Sequence, residues 1–174
     1  MKLREVPQLT ARPAYYVNTD LWYLDDNIEH YQKEFNLDID PDFQRAHVWT
    51  EGKQIAFMEY LFKGGQMSNR LLFNYPHWMS KMDSTTDVMV LVDGKQRLEA
   101  MRKFKANKLP VFGHTIDEWE DGKIACRSVQ LEIYIHDLVN RKDILKWYID
   151  LNSGGVVHTD EEIEKVQKLL DKEK

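Results

Sequence analysis

Val88-Met89-Val90-Leu91-Val92-Asp93-Gly94-Lys95-Gln96-Arg97-Leu98-Glu99-Ala100-Met101 changes its periodicity in the middle. Its first five residues form an unbroken apolar run, which predicts a strand buried on both faces. Asp93-Gly94 is a turn signal. Leu98, Met101 and Phe104 then recur at helical spacing and predict a helix over 95–106. A buried strand that passes through an Asp-Gly turn straight into a helix is the unit around which the remaining elements are arranged.

Upstream, Arg70-Leu71-Leu72-Phe73-Asn74-Tyr75 reads as a short strand ended by Pro76. Thr50 is a helix N-cap ahead of Ile55, Met58, Leu61 and Phe62, and Gly64-Gly65 stops that helix, giving 51–63. The aromatic and acidic segment 14–37 predicts a helix over about 20–34, capped by Thr19 or Asp20 and burying Leu24, Ile28 and Tyr31. Pro41 breaks any regular element. The stretches 77–86 and 113–124 read as loops, the latter with a turn at Asp121-Gly122. Downstream, Val129, Leu131, Ile133 and Ile135 alternate with polar residues or tyrosine as in a half-buried strand. Asn140 caps a helix with Ile144, Tyr148 and Leu151 on one face, stopped by Asn152-Ser153-Gly154-Gly155. Thr159-Asp160-Glu161-Glu162 is a capping box, and Ile163, Val166, Leu169 and Leu170 form an amphipathic stripe on a helix over about 160–171. Interleaved strands and helices make this an α+β chain with a small mixed sheet and packed helices. The whole of 1–174 reads as one domain.

Composition narrows the function classes. The chain has 174 residues, 43% hydrophobic and 30% charged, as expected of a globular protein rather than a disordered one. No apolar run approaches the roughly 20 residues that span a bilayer, and the N-terminus lacks a secretory h-region. The single cysteine, Cys126, forms no internal disulfide, so the expected setting is a reducing cytoplasm without membrane partners. The net charge is −5, but it is unevenly spread: residues 1–42 carry −5, residues 43–110 carry +5 and residues 111–174 carry −5. A basic centre suits a phosphate-bearing ligand. The six histidines show no HExxH or Cys/His spacing, which gives no sign of a zinc site.

Three segments carry candidate chemistry. In Val92-Asp93-Gly94-Lys95-Gln96-Arg97, the first turn of a helix directs free N–H groups and a partial positive charge outward, where phosphates bind readily. Gly94 permits close approach, Arg97 offers a bidentate fork, and Lys95 a point charge. Asp93 can cap the helix, hold Arg97, or ligate a metal that bridges phosphates. In Pro41-Asp42-Phe43-Gln44-Arg45-Ala46-His47-Val48-Trp49, aromatic neighbours aim Gln44 and Arg45. In Leu151-Asn152-Ser153-Gly154-Gly155, Asn152 and Ser153 can donate hydrogen bonds to a ligand. Each segment read alone better suits a structural turn, loop or helix end.

Together and in this order, "PDFQRAHVW", "VLVDGKQRLEAMRKF" and "WYIDLNSGGVVHTDEE" resemble the ParB/sulfiredoxin-like domain at the N-terminus of GmrSD-type modification-dependent restriction enzymes. The resemblance covers about residues 37–165. In that family the first segment is an Arg-containing box, the second an Asp-Gly-Gln-Gln-Arg box, and the third an Asn-containing box. It implies a ParB/sulfiredoxin-like fold and a nucleotide or nucleic-acid phosphate site. Relatives are linked to nucleoside triphosphate hydrolysis, and some to DNA cleavage in defence. By position, Asp93, Gly94, Gln96 and Arg97 match the second box, Gln44 and Arg45 the first, and Asn152 the third. Lys95 departs from the family's usual glutamine. The restriction enzymes continue into a nuclease domain, typically HNH, of which this sequence carries no signature. Short stand-alone versions resemble proteins of bacterial and phage origin.

The leading expectation is therefore hydrolysis of a nucleoside triphosphate, with magnesium at Asp93. Backbone N–H groups at 94–96, with Arg97 and Arg45, would stabilise charge on the transferred phosphoryl group, and Gln44 or Gln96 would orient the water. Lys95, Gly94 and Asn152 would complete phosphate binding. The alternatives are a non-catalytic nucleotide- or DNA-binding module and a small metal-dependent DNA nuclease or nickase. The C-terminal stripe and the aromatic 15–35 segment suit either a homo-oligomer or, more commonly, the core. Sulfiredoxin chemistry needs a cysteine in the phosphate box, and Cys126 is expected on a different strand.

Overall fold

A computed structural model describes residues 12–46, 48–66, 68–79, 87–153 and 160–173. Strand β1 spans Tyr15–Asp20, β2 Arg70–Asn74, β3 Val90–Asp93 and β4 Gln130–His136. The helices are α1 Leu24–Phe35, α2 Glu51–Phe62, α3 Lys95–Lys105, α4 Gly122–Ser128, α5 Arg141–Ser153 and α6 Asp160–Lys172. The fold class is α+β, as expected.

The sheet runs β1-β4-β2-β3, with β2 parallel to β4 and the other two pairs antiparallel. Strand β3 therefore stands at one end of the order. Its outer edge is nevertheless covered, because segment 35–38 pairs with it: Asp38 N–H donates to Met89 O at 2.8 Å and Leu91 N–H to Asp38 O at 3.0 Å. The unbroken apolar run has its explanation here. Leu91 packs into the main core with α1, α2 and α3, while the next residue, Val92, packs into a second cluster with Leu145 and Tyr148 of α5. Both are fully buried, so this strand does lie between two helical layers. Val88, at the start of the run, is exposed and outside the strand.

Several elements follow the sequence pattern closely. Thr50 caps α2, its side chain accepting from Lys53 N–H. Leu131, Ile133 and Ile135 of β4 are fully buried, with Glu132 and Tyr134 on the other face. Val166 of α6 is buried in the cluster with α5, and Leu169 and Leu170 are packed against it, so this part of the C-terminal stripe faces the core; the Ile163 side chain lies outside the described residues. The capping residue expected at Thr159 and the Gly154-Gly155 stop lie outside the described residues, as does 80–86 of the expected 77–86 loop.

Two elements differ from expectation. Residues 15–20 form β1, and α1 starts only at Leu24. Asp20 accepts from Tyr23 N–H at 3.1 Å and so caps the intervening turn instead of the helix. Tyr15 and Tyr16 stay exposed, which erases the apolar alternation that marks a half-buried strand; β1 exists because it pairs along all six residues with β4. Within 113–124, Thr115 and Glu118 form a capping box around a short 3-10 turn, and α4 starts at Gly122. Cys126 is thus on a helix, not on a strand, and burial pushes its thiol up to about 11.

Candidate phosphate-binding site

The site starts at the turn between β3 and α3. Gly94 is the helix N-cap, with φ 109° and ψ 5° in the left-handed region that glycine adopts without penalty. A Cβ there would lie 2.6 Å from Leu71 Cδ2 and 3.3 Å from Arg70 O. This position therefore needs glycine for both its backbone angles and its space. The N–H groups of the first turn that follows have no intrahelical acceptor.

Asp93 does one of the three jobs open to it in the sequence: its Oδ2 accepts from Arg97 Nη2 at 2.6 Å. Gly94 has taken the cap position. Arg97 Nε is buried and has no hydrogen-bond partner, an orphaned donor on the wall of the site. Lys95 curls away from the turn. Its ammonium is held by the Asp40 carboxylate and by Arg45 O, the latter at 3.1 Å. Asp40 was not singled out in the sequence, and no local pattern marks it, since the pair joins residues 55 apart.

The two glutamines have positioning jobs. Gln44 is buried and donates through Nε2 to the carbonyls of Leu91 and Val92 at 2.9 and 2.8 Å. Gln96 Oε1 accepts from both Val48 N–H and Trp49 N–H at 3.0 Å, and its Nε2 approaches Ala46 O at 3.4 Å. The "PDFQRAHVW" loop is thus laid over the β3–α3 turn by one glutamine from each side. This explains why polar residues stand between the aromatic neighbours there. Backbone groups therefore engage Gln44 Nε2 and both ends of the Gln96 amide.

Helix α5 supplies the third wall. Its Tyr148 ring packs T-shaped on Phe43 at 5.2 Å, and Asn152 Nδ2 donates to Tyr148 O at 2.7 Å, one turn back. The start of α5 is held twice. Asn74, fully buried on β2, exchanges hydrogen bonds with the backbone of Leu138 at 2.9 and 3.0 Å. Arg141 grips Asp42 through two contacts of 2.8 Å and reaches Glu173 at 3.2 Å. The first box, α5 and α6 are therefore tied together.

Gln44, Arg45, Asp93, Gly94, Lys95, Gln96, Arg97 and Asn152 all line one small cavity of about 70 Å³, completed by Trp49 and Tyr148. It opens beside a recess of about 390 Å³ that shares Arg45, Trp49, Asp93, Arg97 and Asn152 and adds Lys53 and Leu151. These eight residues come from all three sequence segments; the side chain of Ser153, the other donor proposed there, lies outside the described residues. Trp49 and Tyr148 were quoted in the sequence as packing residues; their place in the cavity wall has no sequence signal. No protein-family model, curated protein or solved structure matches this chain.

The chemistry open to this site is anion binding. Among the described residues, Arg45, Arg97 and Lys53 line it with Asp93 as the only carboxylate. The donor set also fits a magnesium ion shared with phosphate, because Mg²⁺ commonly uses one or two carboxylates and takes the rest of its shell from phosphate and water. Asp93 is that carboxylate. Among the described residues no group of three or more His, Cys, Asp or Glu forms an all-protein metal cage, and no helix is long and apolar enough to cross a membrane.

Proposed function

We propose that this chain is a ParB/sulfiredoxin-like domain that binds the phosphates of a nucleoside triphosphate at the β3–α3 turn and hydrolyses it, in a DNA-related defence or counter-defence setting. The observation that carries this reading is the convergence of the three segments: residues 44–45, 93–97 and 152 line one cavity around a left-handed glycine and a helix N-terminus. The buried, unpartnered Nε of Arg97 adds a donor suited to a phosphate oxygen.

In this reading the Asp93–Arg97 pair opens to a ligand that carries both charges. The phosphate takes Arg97, and Asp93 would hold a divalent cation that would supply charge neutralisation to the bound phosphate. Water attacks the terminal phosphorus, the bond to the bridging oxygen breaks, and the nucleoside diphosphate and phosphate leave. First-turn N–H groups, Arg97 and Arg45 oppose the charge that develops on the transferred group. Gln44 and Gln96 act one step back, holding the loop that carries Arg45. Lys95 acts likewise, through Arg45 O.

A second reading is a nucleotide- or DNA-binding module without turnover, and one observation favours it: Gln96 Oε1, one of the two candidate water-orienting groups, is taken by the Val48 and Trp49 N–H groups. Thermal shift of the purified chain with ATP, GTP, CTP or short DNA, with and without magnesium, separates the ligands. A nucleotide shift lost in Arg97→Ala, followed by phosphate release, supports hydrolysis; a shift without release supports the module. A salt-sensitive shift with DNA alone favours DNA phosphates, and nicking of supercoiled plasmid identifies the nuclease version. No shift with any ligand refutes the phosphate site.

A further inference from the structure

The cavity at the turn, about 70 Å³, holds little more than two water volumes at about 30 Å³ each. It accommodates phosphoryl oxygens and excludes a nucleoside, since pockets for drug-sized ligands run to about 300–1,000 Å³. A nucleotide with its phosphates at the turn must place its base elsewhere. Among the described residues two recesses share lining with this cavity, one through Lys95 and the other through Asp93 and Arg97.

The larger, about 580 Å³, runs along α3 over Ile39, Leu98 and Ala106, and shares only Lys95 with the small cavity. The Lys95 side chain, tied to Asp40 and to Arg45 O, stands between the two. The other recess, about 390 Å³, shares five residues with the small cavity and is continuous with it. Among the described residues that line it there is one aromatic side chain, Trp49, beside Arg45 and Arg97; Tyr148 lines the small cavity but not this recess. Gln96 Oε1 fixes the Trp49 backbone at 3.0 Å, and the ring is braced T-shaped on Phe57 at 5.3 Å. Leu151 of α5, 37% exposed, also lines the recess and supplies an apolar contact.

We infer that Trp49 is the base platform of this site: the nucleobase lies on the indole in the 390 Å³ recess while the phosphates occupy the turn. This rests on the nucleotide reading above and deepens it. Aromatic faces accept any base, so Trp49 supplies affinity for a nucleoside as a class. Arg45 and Lys53 at the same recess add the positive charge that an extended polyphosphate needs.

The test is calorimetric titration of the full chain, in magnesium, with inorganic triphosphate and separately with ATP, GTP and CTP. Wild type is compared with Trp49→Tyr, Trp49→Leu and Ala106→Trp. Trp49→Tyr keeps a flat ring, Trp49→Leu keeps apolar bulk only, and Ala106→Trp fills the α3 recess from an exposed position. The expected result is that triphosphate binds wild type and Ala106→Trp alike and is retained by both Trp49 variants with a loss well below tenfold, which also reports an intact turn. At least one nucleotide binds wild type more tightly than triphosphate does. That gain survives in Trp49→Tyr and Ala106→Trp, and nucleotide affinity falls about tenfold in Trp49→Leu. Unchanged nucleotide affinity in Trp49→Leu, or a loss in Ala106→Trp, overturns the inference. Triphosphate binding without any gain from a nucleoside overturns it while leaving the phosphate site standing. No binding of either ligand by wild type overturns the nucleotide reading and this inference together.

Discussion

Arg97 Nη2 lies 2.6 Å from Asp93 Oδ2, one helical turn apart across a left-handed Gly94. The pair is partly exposed, with side-chain accessibilities of 20% for Arg97 and 39% for Asp93, so as a stability element it is worth at most about 1 kcal/mol. Its value lies in holding a guanidinium and a carboxylate side by side at a helix N-terminus. Arg97→Ala is expected to leave the melting temperature within a few degrees of wild type while abolishing nucleotide-dependent stabilisation. Any phosphate release would fall by about two orders of magnitude, the usual cost of losing one charge-stabilising donor. Malachite-green phosphate assays beside a melting curve check both halves.

Gln96 holds two backbone N–H groups with one oxygen. Gln96→Leu removes the acceptor and leaves both donors of Val48 and Trp49 unpaired. A loss of about 1–3 kcal/mol is expected, and with it a fall of several degrees in melting temperature. Gln96→Glu keeps an oxygen at the same place and should recover most of the loss. Equal damage from both variants, measured by calorimetry, would refute the assignment of Gln96 to loop holding.

At Gly94, alanine meets both a positive φ and a Cβ contact with Leu71 at 2.6 Å. Gly94→Ala should destabilise the chain by about 1–3 kcal/mol in urea unfolding. Gly113 also has a positive φ but open space around it, so Gly113→Ala should cost less than Gly94→Ala. Equal losses would mean that backbone strain alone, without the Leu71 contact, sets the cost.

His136 is buried on β4 with its ring centroid 4.1 Å from that of Trp147, and burial holds its pKa below the ordinary histidine value. The unfolded chain then takes up a proton at a higher pH than the folded one. The stability that neutral His136 contributes is complete above the unfolded pKa of about 6.5 and is lost as pH falls towards the lower folded value. Melting temperature should therefore drop as pH falls below about 6.5. A His136→Asn variant, lower in stability throughout, should show a flatter profile across that window. A wild-type curve as flat as the variant's would sink the assignment.

Cys126 is fully buried with its thiol pushed up to about 11. The native protein should be inert to a thiol reagent at pH 8 and react stoichiometrically once unfolded. Rapid labelling of the native state would show that α4 opens locally.

Much of this molecule was legible from local chemistry. Thr50 marks the start of α2, Asp93-Gly94 the break between β3 and α3, and the alternation from Leu131 to Ile135 marks β4, because capping, turn geometry and pleat operate over a few residues. The three candidate segments stood out only taken together, by their order and their resemblance to a known family. Tertiary structure decided the rest. Tyr15 to Asp20 are a strand only because β4 offers partners, from Gln130 opposite Asp20 to Ile135 opposite Tyr15, that are distant along the chain. Lys95 belongs to Asp40 and the Arg45 carbonyl, and Gln44 and Gln96 to backbone groups 47 or 48 residues distant. Sequence alone determined which residue types are available to hold a phosphate. Which of them face the cavity, and which are used to hold the loop beside it, is set by long-range hydrogen bonds that form only when β3, the 41–49 loop and α5 meet.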